Sequence, residues 1–325
     1  MGFGAALGTL VPMGEQEVLG PADERRDGDW WRLRAALDQL AAEDLAMAVS
    51  VIEDLASASQ HLSKVRDQPK VTLFGSARIR RDSAAWRQAH DLAQLLSCDG
   101  YTIVTGGGPG VMTAGLEGAH DGRALGVSIS LPFETPQVGR FPVVLQDRFF
   151  TRKLAMVRHV RGFVAAAGGF GTADEVLEVL VLLQTGKKRP APVVLLDAPG
   201  APHWGRFSTW VQEELVPAGL ISPADLSLYR VCEDVGTAHR EIVGFYSRYR
   251  GLTERTLSDG RYGMLLSRLP EPEELKALDE EFGDICPDGG FEVAESEQGD
   301  CLAFRFDRRQ WGRLRQLIDA LNAAG

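Results

Sequence analysis

The chain has 325 residues, of which 44% are hydrophobic and 25% charged, and its formal net charge is −10. This composition is typical of a globular protein, and the negative charge argues against sequence-independent binding to a nucleic-acid polymer. The four cysteines form no CxxC pair, so we expect neither a zinc site nor disulfide bonds, and a cytoplasmic location. No apolar run approaches the roughly 18 residues of a membrane span and no signal peptide is evident, so no membrane partner is expected.

Residues 1–66 are predicted to form a mobile tail followed by amphipathic helices. The first two dozen residues are rich in glycine and lack periodicity. From Trp30 to about Val65, apolar residues recur at helical spacing. We therefore expect one or two helices before the main domain.

Residues 67–251 alternate between short apolar runs and helical segments. Seven such runs are "KVTLFGS", "YTIVTGGG", "RALGVSIS", "FPVVLQD", "GFVAAAGG", "APVVLLD" and "LYRVCED". This alternation predicts an α/β domain with a doubly wound, mostly parallel, Rossmann-like sheet. Such sheets bind ligands outside the carboxyl ends of their strands.

Residues 252–325 follow a different rhythm. "YGMLLSRL", a helix after Pro272, "FEVAES", "CLAFRF" and a helix from Gln310 to Leu321 predict a small α+β unit of βαββα order. The unit contains no recognisable constellation of site residues, which favours an oligomerisation or capping role.

Three turns that contain glycine or serine follow predicted strands, and these turns are candidate phosphate sites. We call them the glycine turns. The dinucleotide fingerprint is disfavoured because no acidic residue stands about 20 positions beyond "TGGGPGVM", and no Walker sequence is present. The pattern therefore indicates a monophosphate ligand, and no cofactor is expected. The expected phosphate or nucleotide ligands are Gly75, Ser76, Gly106, Gly107, Gly108, Lys153, Gly168, Gly169, Gly171 and Thr172.

The turn "GGFGTADE" allows two interpretations. Helix N-terminal amides carry free N–H donors, so glycines there can cradle a phosphate. Alternatively, Thr172 is the N-cap and Glu175 the third residue of a capping box. Spacing alone does not distinguish them.

Charged residues near this turn favour chemistry on a sugar. Asp174, Glu175 and Glu178 crowd the first turns of the helix, and a carboxylate facing a ribose can stabilise an oxocarbenium-like transition state. Arg152 and Lys153 supply cations near the start of another helix, which is unfavourable for its dipole; this placement indicates either a functional role or a solvated basic turn. Phe149, Phe150 and Met156 are expected in the core, His159 is expected to be structural, and no metal site is predicted.

Together these motifs resemble the LOG family of cytokinin riboside 5′-monophosphate phosphoribohydrolases. "AGGFGTADE" (167–175) is similar to the family pattern PGGxGTxxE, and Arg152, Lys153 and Met156 fit its RKxxM element. "FGSAR", "GGGPGVM", "LPFE" and "LVLLQTGK" add to a resemblance that covers roughly residues 70–250. Ala167 replaces the usual proline, and Thr113 stands where the family has a glycine.

The resemblance implies a reaction and roles for individual residues. Arg152 and Glu175 become the catalytic pair and Gly168 to Thr172 the phosphate cradle, with Met156, Glu134 and Glu178 in support. The implied reaction is hydrolysis of a nucleoside 5′-monophosphate, of the AMP or cytokinin riboside monophosphate type, to free base and ribose 5-phosphate. The resemblance also implies a homodimer or larger homo-oligomer. The alternative is a non-enzymatic carrier or sensor of a nucleotide or of the molybdenum cofactor.

Overall fold

A computed structural model describes residues 22–130 and 141–324. The chain divides into two compact units, Met1–Ile52 and Glu53–Gly325. The first unit contains α1 (Ala22–Leu37) and the start of α2 (Ala42–Ser63), so the boundary falls inside α2. In this unit, Trp30 and Trp31 lie about two-thirds exposed, at 64% and 65%. No helix in the described ranges is long and apolar enough to cross a lipid bilayer.

The second unit contains a seven-stranded parallel sheet, as the sequence predicts. Its strand order is β4-β3-β2-β1-β5-β6-β7, and all neighbouring strands run parallel. The strands are β1 (Lys70–Phe74), β2 (Thr102–Thr105), β3 (Ala124–Ile129), β4 (Val143–Gln146), β5 (Gly162–Ala166), β6 (Val193–Leu196) and β7 (Arg230–Cys232). Strands β1, β2, β5 and β6 are buried along their whole length, which explains their continuous apolar runs.

Helices cover both faces of this sheet and form two hydrophobic cores. The helices are α3 (Ala84–Cys98), α4 (Val111–Gly118), α5 (Phe149–Val157), α6 (Phe170–Gln184), α7 (His203–Trp210) and α8 (Val235–Gly244). Residues of α5 and α6 pack with one face, whereas α3, α4 and α8 pack with the other. The predicted doubly wound fold is therefore confirmed. The last of these helices, α8, ends at Gly244, and Tyr249 begins a strand of a second sheet.

The C-terminal residues form a small antiparallel sheet with two helices, which confirms the predicted α+β unit. The strand order is β10-β11-β9-β8. Its elements are β8 (Tyr249–Leu252), β9 (Tyr262–Leu266), α9 (Pro272–Phe282), β10 (Glu292–Ala294), β11 (Cys301–Phe304) and α10 (Trp311–Ala323). Buried aromatic residues from both helices and the strands fill a third core. An ion pair of 2.6 Å between Arg230 of β7 and Asp319 of α10 ties this unit to the parallel sheet.

Candidate active site

The three glycine turns meet at the carboxyl ends of three adjacent strands. The chain passes from β1 to β2 on one side and later returns to β5 on the other side of β1, so this is the switch point of the sheet. Ser76 N donates to Ala167 O at 3.2 Å, and Val111 N donates to Ser76 O at 3.2 Å. These bonds join the turns that follow β1, β2 and β5. The three turns therefore lie where a doubly wound sheet binds its ligand.

The turn after β5 does not form the capping box that the sequence allowed. Helix α6 begins at Phe170, its N-cap is Gly169, and no side chain caps it. Thr172 lies inside the first turn and is buried, so it is not the N-cap. A Cβ at Gly168 would overlap the Thr172 hydroxyl, which explains the glycine there. The first amides of α6 therefore keep the N–H donors and positive dipole end that an anion needs, beside exposed Gly169 and Gly171.

The turn after β2 is tied by its own side chains. Gly107 N donates to Thr105 Oγ1 at 3.1 Å, and Thr113 Oγ1 donates to Gly108 O at 2.9 Å. The threonine that departs from the family pattern thus secures the glycine turn. Gly75, at the end of β1, is buried against Val111 of α4.

Arg152 and Glu175, which lie 23 positions apart, form a buried ion pair beside these turns. Arg152 Nη1 donates to Glu175 Oε1 at 3.1 Å, and the two side chains are only 9% and 12% exposed. Arg152 Nε donates to the carbonyl of Val127 at 2.8 Å, which fixes the guanidinium plane. A Cβ at Gly106 would overlap Arg152 Nη2. The glycine of the β2 turn therefore makes room for the arginine.

The environment of Glu175 raises its pKa above the ordinary value. Burial is the largest cause, since it disfavours the charged carboxylate, and the charge and hydrogen bond of Arg152 offset it in part. Neighbouring Asp174 raises the pKa further, whereas Lys153 lowers it. A carboxylate held in this way is suited to accept a proton or to face a developing cation.

Lys153 of α5 forms ion pairs with the two other carboxylates of α6, those of Asp174 and Glu178. Its Nζ lies 3.1 Å from Asp174 Oδ2 and 2.7 Å from Glu178 Oε2. Burial lowers the pKa of Lys153, but the hydrogen bonds to Glu178 and Asp174 outweigh this and the net pKa is raised. Lys153 is therefore held in the protonated form. The three carboxylates that the sequence places together each face a cation.

The remaining predicted site residues lie elsewhere or outside the described residues. Met156 is buried at 1% exposure in the core, as expected for a packing residue. Glu134 lies outside the described residues. The expectation that Phe149 and Phe150 pack in the core is wrong, because they are 59% and 53% exposed. They occupy the first turn of α5, whose opposite side carries buried Thr151 and Arg152.

Asp54 of α2 supports the site and was missed by the sequence analysis. Its buried carboxylate accepts bonds from Asp147 N at 3.0 Å, Arg148 N at 3.1 Å and Thr151 Oγ1 at 2.6 Å. These groups lie at the start of α5, where no side chain of α5 itself provides a cap. Asp54 lies on the apolar stripe of α2, four residues before buried Ala58. An acid at such a position is the signal in the sequence that could have identified it.

The sheet topology and the buried ion pair define a Rossmann-like α/β protein with a charged site at the switch point. A family model described as "Possible lysine decarboxylase" matches residues 110–242. The probable cytokinin riboside 5′-monophosphate phosphoribohydrolase LOG4 of Oryza sativa subsp. japonica is 36% identical over 169 residues, which cover 50% of this chain and 70% of that protein. The rice protein LOGL3, also named a probable phosphoribohydrolase of this kind, is 33% identical over 158 residues, covering 46% and 69%. The chain belongs to the LOG family.

Solved structures add little beyond this relationship. The molybdenum cofactor carrier protein of Chlamydomonas reinhardtii is 23% identical and aligns with 53% of this chain and 94% of its own, with a TM-score of 0.38. That score is too low to support an argument about function.

Proposed function

We propose that this protein hydrolyses the N-glycosidic bond of a nucleoside 5′-monophosphate, of the AMP or cytokinin riboside monophosphate type. The products are the free base and ribose 5-phosphate. The observation that carries the proposal is the buried Arg152–Glu175 pair, with its 3.1 Å contact, beside an uncapped helix N-terminus. The names of the rice and Arabidopsis relatives support the same substrate class.

The phosphate group is proposed to bind at the turn from Gly168 to Thr172. The amides at the start of α6 donate to the phosphate oxygens, and the helix dipole favours their charge. Lys153, on the adjacent helix, adds a cation whose charge is balanced by Asp174 and Glu178. The phosphate is remote from the bond that breaks, and its binding energy holds the ribose in a fixed position.

Glu175 is proposed to act at the ribose. As the bond between C1′ and the base nitrogen breaks, its electron pair leaves with the base and positive charge develops on the ribosyl ring. A carboxylate at this point stabilises the ring or positions the water whose oxygen bonds to C1′. The proton released by that water passes through Glu175 to solvent, and the departing base takes up a proton from solvent.

Arg152 is proposed to hold the substrate and to counter the negative charge that develops on it. Its bonds to Val127 O and Glu175 leave Nη2 directed at Gly106 of the β2 turn. The same ion pair opposes the effect of burial on Glu175, because the Arg152 charge and hydrogen bond lower a pKa that desolvation raises.

Lysine decarboxylation, which the description of the family model suggests, has less support. Pyridoxal phosphate chemistry begins with a neutral lysine that forms a Schiff base. Among described residues close to the glycine turns, Lys153 is the candidate, and two carboxylates hold it protonated. Its position is that of a charge-balancing residue.

We further propose that the protein forms a homodimer and lies in the cytoplasm. Beside the site, six large apolar side chains are 43% to 98% exposed. They are Phe149, Phe150 and Leu154 of α5 and Phe170, Leu177 and Val181 of α6. A second copy covering this surface would remove them from water. The proposed compartment is supported by the four cysteines, which are all free thiols.

The test is incubation of the purified protein with separate nucleoside monophosphates, followed by quantification of base and ribose 5-phosphate. We expect equal amounts of both products from at least one monophosphate, and release roughly 10²- to 10⁴-fold slower with Glu175→Gln. Glu280→Gln, an exposed change on α9, is the matched control and retains activity. Binding of AMP without any product would favour the carrier or sensor alternative and would contradict the hydrolase.

A further inference from the structure

A second charged cavity lies at the opposite edge of the parallel sheet, where the strands begin. Its volume is about 510 Å³. Six lysine and arginine side chains line it: Arg158, Arg161, Lys187, Lys188, Arg189 and Arg250. They come from the end of α5, the segments before β5 and β6, and strand β8. We name this the amino-edge cavity.

The amino-edge cavity has an unbalanced positive charge. No aspartate or glutamate lines it, and within the described ranges none of its six cations forms an ion pair within 4 Å. Several of them contact neutral groups instead: Lys188 Nζ donates to Val160 O at 2.9 Å, and Arg189 donates to Leu252 O at 2.7 Å. Arg161 stacks on the ring of Tyr246 at 4.1 Å. In a chain of net charge −10, this concentration of cations calls for an explanation.

Helix dipoles explain only part of this concentration of cations. A cation near the carboxyl end of a helix is stabilised by the dipole, and this applies to Arg158 after α5 and to Lys187 after α6. Arg161 and Arg189 lie four and five residues beyond the last residues of α5 and α6, and Arg250 lies in strand β8, so all three are outside the last helical turn, where the dipole acts. Their convergence on one cavity is therefore not a consequence of helix capping.

The pKa of His159 is affected by the neighbouring cations, whereas the pKa of Lys188 is affected by burial alone. Burial and then the charges of Arg158, Lys70, Lys188 and Arg66 lower the pKa of His159, which lines the same cavity. Burial lowers the pKa of Lys188 to about 8. A bound anion would stabilise the charged form of both groups.

We propose that the amino-edge cavity binds a small phosphorylated molecule carrying at least two negative charges. Several cations without carboxylate partners suit a diphosphate or triphosphate, and the volume lies within the roughly 300–1,000 Å³ of small-molecule pockets. The site is separate from the proposed nucleotide site, because the 15 residues of α6 run roughly 22 Å from the glycine turn toward this edge. The inference goes beyond the proposed hydrolase activity and does not depend on it.

The experiment is calorimetric titration with inorganic pyrophosphate at about 0.15 M ionic strength, where long-range screening is strong. The key variant is Arg158→Glu with Lys187→Glu, because both side chains are exposed and lie on the cavity wall. Arg158→Gln with Lys187→Gln removes the charge more gently. Lys276→Glu with Arg309→Glu, two exposed positions in the C-terminal unit, reproduces the same change in net charge.

We expect wild-type protein and the C-terminal control to bind pyrophosphate alike, also when AMP is present in excess. The glutamate double variant should bind at least tenfold more weakly, and the glutamine variant should fall between them. Equal binding by wild type and the glutamate variant would overturn the proposal. Displacement of pyrophosphate by AMP would also overturn it, since the anion would then occupy the glycine turns. Because pyrophosphate is not a substrate of the proposed reaction, failure here leaves the hydrolase test unaffected.

Discussion

The two edges of the parallel sheet place cations in opposite ways. At the carboxyl edge, Arg152 and Lys153 each face carboxylates at 2.7 to 3.1 Å. At the amino edge, four of the six cations of the amino-edge cavity contact carbonyls or an aromatic ring, and none of the six pairs with a carboxylate within the described ranges. The same two helices, α5 and α6, reach both edges.

This difference separates chemistry from binding. A site that stabilises a cationic transition state needs ionised carboxylates, and cations must balance these if a phosphate is to bind nearby. Backbone amides of α6 can then capture the phosphate without adding net charge. A site that only binds a polyanion gains from uncompensated cations. We therefore expect changes at the two edges to affect different measurements.

The largest effect is expected from Glu175→Gln. The substitution keeps size and hydrogen bonding but removes the negative charge, so kcat should fall roughly 10²- to 10⁴-fold. AMP affinity, measured by calorimetry, should change only a few-fold because the phosphate contacts remain. Equal losses in kcat and in AMP affinity would show that Glu175 binds substrate rather than acting in the reaction.

Gly106→Ala should reduce activity on the order of 10²-fold, because its Cβ would displace the Arg152 guanidinium. Gly244→Ala in α8 is the matched control, since nothing lies within 4 Å of a Cβ there. Steady-state kinetics of both variants would test this. If Gly106→Ala turns over substrate as fast as Gly244→Ala, the position of Arg152 does not matter for the reaction.

Asp54→Ala should destabilise the folded protein by about 2 kcal/mol, because it removes the cap of α5 and leaves buried N–H groups without an acceptor. Three groups at the start of α5 lose their acceptor. Chemical denaturation monitored by circular dichroism measures the free energy of unfolding. Glu53→Ala changes the exposed acid next to it and should have little effect. Similar stabilities of the two variants would contradict the capping role.

The smallest effect is expected in the pH profile. Because burial raises the pKa of Glu175, kcat/KM should fall as pH decreases through a value above 4.5, where the carboxylate becomes protonated. Lys153→Met removes a charge that lowers this pKa, so the acid limb should move to higher pH. Asp174→Asn removes a charge that raises it, so the limb should move to lower pH. Shifts in the same direction in both variants would exclude Glu175 as the titrating group.

Sequence reasoning predicted most of the fold because parallel strands buried on both faces leave continuous apolar runs. All seven runs form strands of one sheet. It also selected Arg152 and Glu175, which the structure places in contact, although their catalytic roles stay a prediction. The start of α6 could not be decided, because a Thr-x-x-Glu pattern fits both a capping box and the interior of a first turn.

Other features depend on tertiary packing that local patterns do not contain. Phe149 and Phe150 are apolar yet exposed, because α5 turns Thr151 and Arg152 inward instead. Asp54 acts on residues more than 90 positions away. The amino-edge cavity gathers cations from four separate segments, so none of them forms a recognisable cluster in the sequence.

The most direct test of the contrast between the edges is AMP turnover in three proteins assayed together: wild type, Glu175→Gln, and Arg158→Glu with Lys187→Glu. Free adenine and ribose 5-phosphate are quantified in each. We predict equal release by wild type and the amino-edge double variant, and release roughly 10²- to 10⁴-fold slower by Glu175→Gln. Release by Glu175→Gln at the wild-type rate, or its loss in the double variant alone, would contradict the assignment of the chemistry to the carboxyl edge.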